Sequence, residues 1–412
     1  MPYKYRAGDI IHEDSPYAVA VNVENAAYTC SYCFGSNAEM SCTGCQKLIY
    51  CSAKCQENDA VDHSLECGIL ADREELPDEE LRLVIRALHK FVREKDAPSM
   101  SDFFGSKRSM NDLLSHVQDL NATDLEEVGG RVTEILNLLG GSLNVDQHLV
   151  VEILMKCRIN RYCLINHNEP SFSTCGQVVY LGASAIDHSC VINESYTYLF
   201  DGRRIILRAL TDFTLDDPRS LRIHYLSSQL PYDQRRMMTL ETYYFVCSCD
   251  KCVSQARAPE IDASLKELAE QVTNEVDTLY QSSLTTPEWY QEGLAILDKY
   301  YETLNGDFAL FWLLTQLQNQ AIEQGFMEAS LKHGSDALRS ANTVLSMEPI
   351  LFNLCLAMKM LGWNERNSEG YRTFAKGTKL TMKLFSVSHG PKHPIMKTLQ
   401  SFKEKTSLEV GE

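Results

Sequence analysis

The sequence predicts an α+β chain: a β-rich body, interrupted by a cysteine-rich segment and a helical insert, then an all-helical C-terminal region. Three observations predict it. Runs of β-formers lie near the N-terminus, at 17–23 after the turn-like Asp14-Ser15-Pro16, and over 170–226, including 177–180 and the pair 196–200 and 204–207 around an Asp201-Gly202 turn. Apolar residues recur at helical spacing after the start signal Pro77-Asp78-Glu79-Glu80 (Leu81, Val84, Ile85, Leu88, Phe91) and again beyond about Pro259. Most of the 15 cysteines crowd into two clusters, at 30–67 and 247–252.

A chain of 412 residues is too long for one core of ordinary size, so two or three packed units are expected. The formal charge of −17 makes a poor general binder of phosphate backbones, so direct nucleic-acid binding is not expected. The same field attracts a basic partner such as a lysine-rich protein tail. The opening MPYKYRAGDIIHEDSP has no secretory apolar core, and no apolar run reaches the ~20 residues that span a bilayer. A reducing compartment, nucleus and cytoplasm, is therefore expected, where clustered cysteines read as metal ligands rather than disulfides.

Along the chain, 1–29 reads as strand and 68–160 as helical and acidic, with Gly140-Gly141 interrupting it. From Pro259 onward, Leu265, Leu268, Val272, Val276 and Leu279 form one stripe, Leu294, Leu297 and Tyr300 a second, and Phe311, Leu314 and Leu317 a third. These suggest stacked antiparallel helix pairs, repeat-like in the tetratricopeptide manner but with a weak signature.

The first cluster reads Cys30-x2-Cys33, Cys42-x2-Cys45, Cys51-x3-Cys55, His63-x3-Cys67. Seven thiolates and one imidazole supply two tetrahedral zinc sites with no ligand left over, and filled sites are structural rather than catalytic. The i, i+4 pairs Cys51/Cys55 and His63/Cys67 each predict one face of a helix turn. The segment is poor in core residues, so zinc is expected to supply its folding free energy, ~10–16 kcal/mol per site in small zinc peptides. This ligand order resembles the MYND finger. The resemblance implies interleaved sites, with Cys30, Cys33, Cys51 and Cys55 on one ion and Cys42, Cys45, His63 and Cys67 on the other. It also implies a protein-binding module, often for proline-rich peptides.

The second cluster, Cys247-x-Cys249-x2-Cys252, offers three thiolates where a structural zinc takes four. Cys190, in Asp187-His188-Ser189-Cys190, is the best candidate for the fourth. Here the chain resembles the SET domain, whose Asn-His-Ser-Cys signature precedes a tyrosine strand (here Ile223-His224-Tyr225-Leu226) and a Cys-x-Cys-x2-Cys motif. A SET domain split by a MYND finger and followed by helices is similar to the SET-and-MYND family of protein-lysine methyltransferases. The tail's Ser388-His389-Gly390-Pro391-Lys392-His393-Pro394 extends the match. The division implied is 1–29 N-terminal SET, 30–67 finger, 68–160 helical insert, 161–246 core SET, 247–258 post-SET zinc motif and 259–412 helical domain.

The resemblance further implies a pseudoknotted SET fold, three structural zinc ions and S-adenosylmethionine as cofactor. It implies methyl transfer to lysines of a histone or other basic protein. Tyr225 matches the catalytic tyrosine, with Tyr162 and Tyr243 as the other channel positions. Phe245 would stack near adenine, and Asn160, Ser184, Asp187, His188, Tyr225 and, in the insert, His116 would contact the cofactor. Three departures accompany the match. The family's glycine-containing turn is expected just upstream of Met1, with Arg6-Ala7-Gly8-Asp9 in the position that follows it. Asp187 replaces an asparagine, and a buried, unpaired carboxylate there would be costly. The turn 215–220 is longer, so a register slip would misdirect Tyr225. The alternative function is a SET-like scaffold that binds cofactor poorly and recruits partners through finger and tail.

Overall fold

The computed structural model describes residues 2–36, 38–165, 174–191, 193–257, 263–304, 307–341, 343–366 and 368–404. The expected helix start near Pro259 and the first residues of the 170–226 region lie outside them.

The chain opens with strands β1 (Tyr3–Tyr5), β2 (Ile10–Asp14) and β3 (Pro16–Val21). The cysteine-rich segment holds a small hairpin, β4 (Met40–Ser41) and β5 (Ile49–Tyr50), and helix α1 (Ala53–Ala71). The insert contains α2 (Glu79–Arg93), then a hairpin, β6 (Ser101–Phe103) and β7 (Ser106–Arg108), then α3 (Ala122–Leu139) and α4 (Gln147–Asn160). The hairpin corrects the all-helical expectation for 68–160: Gly105 closes it at φ +85°, a turn that a helical periodicity search does not register. The body returns with β8 (Arg161–Ile165), β9 (Thr174–Tyr180), β10 (Asp187–His188), β11 (Tyr196–Asp201), β12 (Arg204–Ala209), β13 (Phe213–Leu215) and β14 (Arg222–Ile223). Helices α5 (Tyr232–Tyr243) and α6 (Asp250–Ala256) lead to the tail.

Two three-stranded antiparallel sheets, β11-β12-β2 and β3-β9-β8, form the body. Strand β3 is buried on both faces: Tyr17, Ala18 and Ala20 join the core made by α2, α3 and α4, while Val19 and Val21 join the core with Val178, Tyr180 and Phe200. This double burial is why 17–21 reads as an unbroken apolar run. The finger docks on the opposite side of β9, where Phe34 presses on Gly176; a Cβ there would lie 2.4 Å from the ring.

Glu80, at the start of α2, ties the insert together. It accepts from Arg158 on α4, Arg161 on β8 and Arg131 on α3 at 2.8–3.1 Å. Burial alone would raise its pKa, but the Arg158 hydrogen bond and the three guanidinium charges hold it at about 2.

The tail continues as α7 (Ala263–Gln281), α8 (Thr286–Tyr300), α9 (Phe308–Glu323), α10 (Met327–Ser340), α11 (Val344–Met360), α12 (Tyr371–Ser388) and α13 (Pro394–Glu404), each packed on its neighbour. Leu265, placed in the first apolar stripe, is exposed. The 388–394 motif forms the turn between α12 and α13. It meets the body there: His393 Nε2 lies 3.4 Å from Phe200 O, and Gly390 abuts the Arg208 guanidinium.

Because Glu80 titrates below its ordinary 4.5 in the folded chain, its contribution is complete above about pH 4.5 and is lost as pH falls toward about 2. Glu80→Gln is expected to cost roughly 2–3 kcal/mol at pH 7. Denaturant midpoints measured from pH 7 downward should show the gap to the parent chain narrowing below pH 5.

Candidate active site and zinc centres

Three clusters of four ligands stand out among the described residues: Cys30, Cys33, Cys51, Cys55; Cys42, Cys45, His63, Cys67; and Cys190, Cys247, Cys249, Cys252. Within each, all ligand atoms lie within 4.8 Å of one another. The close pairs fall at 3.4–3.9 Å, as for Cys51 with Cys55 and Cys190 with Cys247. The edge of a zinc–thiolate tetrahedron, from a Zn–S bond of about 2.3 Å, is about 3.8 Å. The donor set and spacing fit zinc, in the interleaved order for the first two sites and with Cys190 as the fourth ligand of the third.

One local expectation is corrected. Cys51 does not share a helix face with Cys55, because Ser52 caps α1 by accepting from Cys55 N, leaving Cys51 in the extended lead-in. His63 and Cys67 do lie on α1.

The His63 site is buttressed from the insert. His63 Nδ1 donates to Glu66 Oε2 at 2.8 Å, which fixes Nε2 as the metal-facing nitrogen. Glu66 also accepts from Arg82 Nε at 2.9 Å and Arg86 Nε at 2.7 Å, and Arg86 forks onto Asp59 at 2.8 and 3.0 Å. The side chains of Glu66, Arg82, Arg86 and Asp59 are at most 3% exposed. Burial would raise the Glu66 pKa, but the two arginines hold it far below the usual carboxylate range.

The third centre reaches the tyrosine pocket through one imidazole. His188 Nε2 lies 3.1 Å from Cys190 Sγ, and its Nδ1 accepts from Tyr225 N at 3.1 Å. Burial, then the charge of His224, pull the His188 pKa down to about 4, so the ring is neutral. An Nδ1 that accepts leaves the proton on Nε2, where it donates to the sulfur. Parallel pairing of β10 with β14 (Asp187 with Arg222, His188 with Ile223) sets this register despite the longer turn. Asp217 absorbs the extra length by capping a short 3-10 turn, Pro218–Ser220. Tyr225 itself sits in a bend beyond β14, not on a strand.

Tyr162, Tyr225 and Tyr243 lie in one neighbourhood. Tyr225 and Tyr243 have ring centroids 5.0 Å apart, and Tyr162 packs in the same cluster as Tyr225. Each hydroxyl donates to a carbonyl: Tyr225 to Ile186 O at 2.8 Å, Tyr162 to Ala183 O at 3.1 Å, Tyr243 to Tyr225 O at 3.5 Å. Burial raises all three phenol pKa values, with Asp187 adding at Tyr225, so they stay neutral. The pocket is thus walled by ring faces and acceptor oxygens, an environment suited to a group that develops positive charge.

The other candidates fall around it. Phe245 lies 6.0 Å from His188. Asn160, at the end of α4, donates to Leu114 O and Lys156 O at 3.0 and 2.8 Å, leaving its Oδ1 without a donor among the described residues. His116 (φ 51°) stacks on Tyr244 (φ 59°) at 5.5 Å, two left-handed residues held face to face. Ser184 donates to Leu181 O at 2.8 Å. Asp187 is corrected: its side chain is 73% exposed and lies 3.7 Å from Arg222, so it is neither buried nor costly. A separate cavity of about 490 Å³ between β3, α2 and α4 contains none of these residues.

Sequence reasoning missed two residues. Tyr198 on β11 stands 6.1 Å from Tyr162; only its place on a strand facing β8 reveals it. Asp14, 5% exposed, accepts from Gly182 N and Ala183 N at 2.7 and 2.9 Å and so shapes the turn that presents Ala183 O and Ser184. A lone aspartate before Ser-Pro gives no hint of this.

The MYND finger family model matches residues 30–67. Histone-lysine N-methyltransferase SMYD3 of Homo sapiens is 25% identical over 98% of this chain and 94% of that protein. The chain is similar to the SET-and-MYND proteins. Histone-lysine N-methyltransferase SMYD1 of Homo sapiens is 22% identical over 99% of the chain and 86% of its own. N-lysine methyltransferase SMYD2 of Homo sapiens is 22% identical over 61% and 56%. The similarity to SMYD3 and SMYD1 thus runs through finger, body and tail together.

Glu66→Gln is expected to weaken zinc at the His63 site by roughly 10–100-fold while leaving the other two centres unchanged. Chelator competition with a zinc-sensitive dye should then show one ion released early; simultaneous release of all three would mean that Glu66 holds the fold and not the metal.

Proposed function

We propose that this chain is a protein-lysine N-methyltransferase that uses S-adenosylmethionine and acts on lysines of a histone or other basic protein. The observation that carries the reading is the convergence of Tyr162, Tyr225 and Tyr243 beside His188 and Phe245, in register with the third zinc cluster. In this reading 1–29 and 161–246 make the SET body, 30–67 the finger, 68–160 the insert, 247–258 the post-SET motif and 259–412 the helical domain.

The residues present fit the cofactor by the chemistry of their donor set. Phe245 and His188 offer ring faces to a purine, Asn160 Oδ1 and neighbouring carbonyls accept from an ammonium, and the tyrosines tolerate a sulfonium. When bound, that group supplies a methyl on a positively charged sulfur. The chain's residues do the rest. The ring walls desolvate the incoming lysine, which favours its neutral amine. Tyr162, Tyr225 and Tyr243 align that amine, and alignment carries much of the rate gain. The neutral amine held there would be the acceptor of that methyl, and its surplus proton would leave to water. The Tyr225 oxygen, fixed by its bond to Ile186 O, would offer its remaining lone pair to positive charge on that group. The charge of −17 favours lysine-rich targets, and the finger is the place for proline-rich partners.

Titration calorimetry of the zinc-loaded protein should show S-adenosylmethionine binding in the micromolar range, with methyl transfer to core histones. Tyr225→Phe should lower kcat by roughly 10²-fold while the cofactor Kd moves less than about threefold. No binding at millimolar cofactor would overturn the reading in favour of a scaffold.

A further inference from the structure

Arg108, at the end of β7, spends its hydrogen bonds on neutral oxygens among the described residues. Its Nε donates to Leu181 O at 3.0 Å, and Nη2 donates to Asp112 O and Ser184 Oγ, both at 3.4 Å. The acceptors are two carbonyls and a hydroxyl. The nearby Asp112 carboxylate feels the Arg108 charge but does not pair with it; its hydrogen bonds close a capping box on Ser109 N and Oγ at 2.7 and 2.8 Å. Among the described residues Arg108 makes no ion pair, whereas its neighbour Lys107 pairs with Asp102. The guanidinium is half-buried, and its Nη1 is neither bonded to protein nor sealed from solvent. A partly desolvated cation without a counter-ion marks a place where an anion arrives.

Its location says which anion. Arg108 opens the segment 108–116, which gives Leu114 O to Asn160 and stacks His116 on Tyr244. On its other side it holds Leu181 and Ser184, in the turn shaped by Asp14. All of these border the proposed cofactor cradle, and the other cation that reaches the segment, Lys156, pairs with Glu152. Asp187, turned outward to Arg222, adds none either.

We propose that Arg108 anchors the carboxylate of the S-adenosylmethionine methionyl group through Nη1. This assignment rests on the methyltransferase reading and deepens it. A planar guanidinium pre-oriented by three hydrogen bonds, with two N–H groups of Nη1 left to offer, suits a carboxylate better than a flexible ammonium does.

The test compares two ligands in one protein sample: S-adenosylmethionine and its decarboxylated form, which keeps the sulfonium and the amine. The calorimetric Kd ratio within a sample is insensitive to partial loss of folded protein. The parent chain should prefer the carboxylated ligand by about tenfold or more, a difference of about 1.4 kcal/mol. Arg108→Gln should bring the ratio to within about threefold, and Arg108→Lys should restore part of it. An Arg108→Gln ratio equal to the parent's, or a parent with no preference, overturns the Arg108 assignment and leaves the methyltransferase reading intact. Failure of the parent to bind either ligand overturns both.

Discussion

Everything around the tyrosine pocket depends on one closure: the thiol of Cys190 meeting those of Cys247, Cys249 and Cys252. The first of these partners lies 57 positions further along the chain. Closing a loop of that size restricts the unfolded chain heavily, and a metal that binds only the closed form returns that cost as folding free energy. The closure also fixes orientation. Cys190 receives the Nε2–H of His188, and the opposite nitrogen of that ring holds the backbone of Tyr225. The third ligand cluster therefore sets where the backbone of Tyr225 stands. The burial that makes His188 neutral is what allows this, since an imidazolium has no lone pair to offer Tyr225 N.

The finger is bound into the molecule by different physics. Its own core is small, with Leu48, Tyr50 and Leu70 its largest apolar members. What attaches it is the buried set of Asp59, Glu66, Arg82 and Arg86, in which two carboxylates face two guanidinium groups. Such a set is seldom better than apolar packing for stability, but removing one member strands a charge, at a cost of about 3–5 kcal/mol. Arg82 also donates to Val21 O on the doubly buried strand β3. The finger, insert and body consequently share one polar seam, and the His63 zinc site lies at its end.

Much of this was legible in the sequence, and the reason is chemical. Ligand spacing is local, so 30–67 and the Cys-x-Cys-x2-Cys motif declare themselves, and a count of three thiolates in the latter already demands a fourth. Helical stripes such as Leu81 to Phe91 and the Asp201-Gly202 hairpin are equally local. What stayed hidden depends on tertiary partners. The hairpin at 101–108 is too short to show alternation. Asp14, Tyr198 and Arg108 are single residues whose roles come from distant groups: Gly182 for Asp14, separated by 168, Leu181 for Arg108, separated by 73, and Tyr162 on another strand for Tyr198. Cys51 was misplaced because an i, i+4 spacing does not reveal that Ser52, between the two cysteines, begins the helix.

Asp187 shows most clearly how tertiary context overrules a motif. Judged as a departure from a signature, it argues against a working site, because a carboxylate can only accept and resists burial. In the fold that premise fails. The parallel pairing of β10 with β14 sends the position-187 side chain outward, toward Arg222, and the inward-facing position of the pair belongs to His188. The exposed carboxylate is largely screened, and its influence inside is confined to helping burial raise the Tyr225 phenol. Arg108 is the opposite case: its guanidinium is half-buried beside Ser184 and is held by hydrogen bonds to neutral oxygens. A charge bathed in water constrains little around it, whereas one partly withdrawn from water must be answered by the groups that surround it. Burial, which only the fold supplies, therefore decides which of the two charges shapes its neighbourhood.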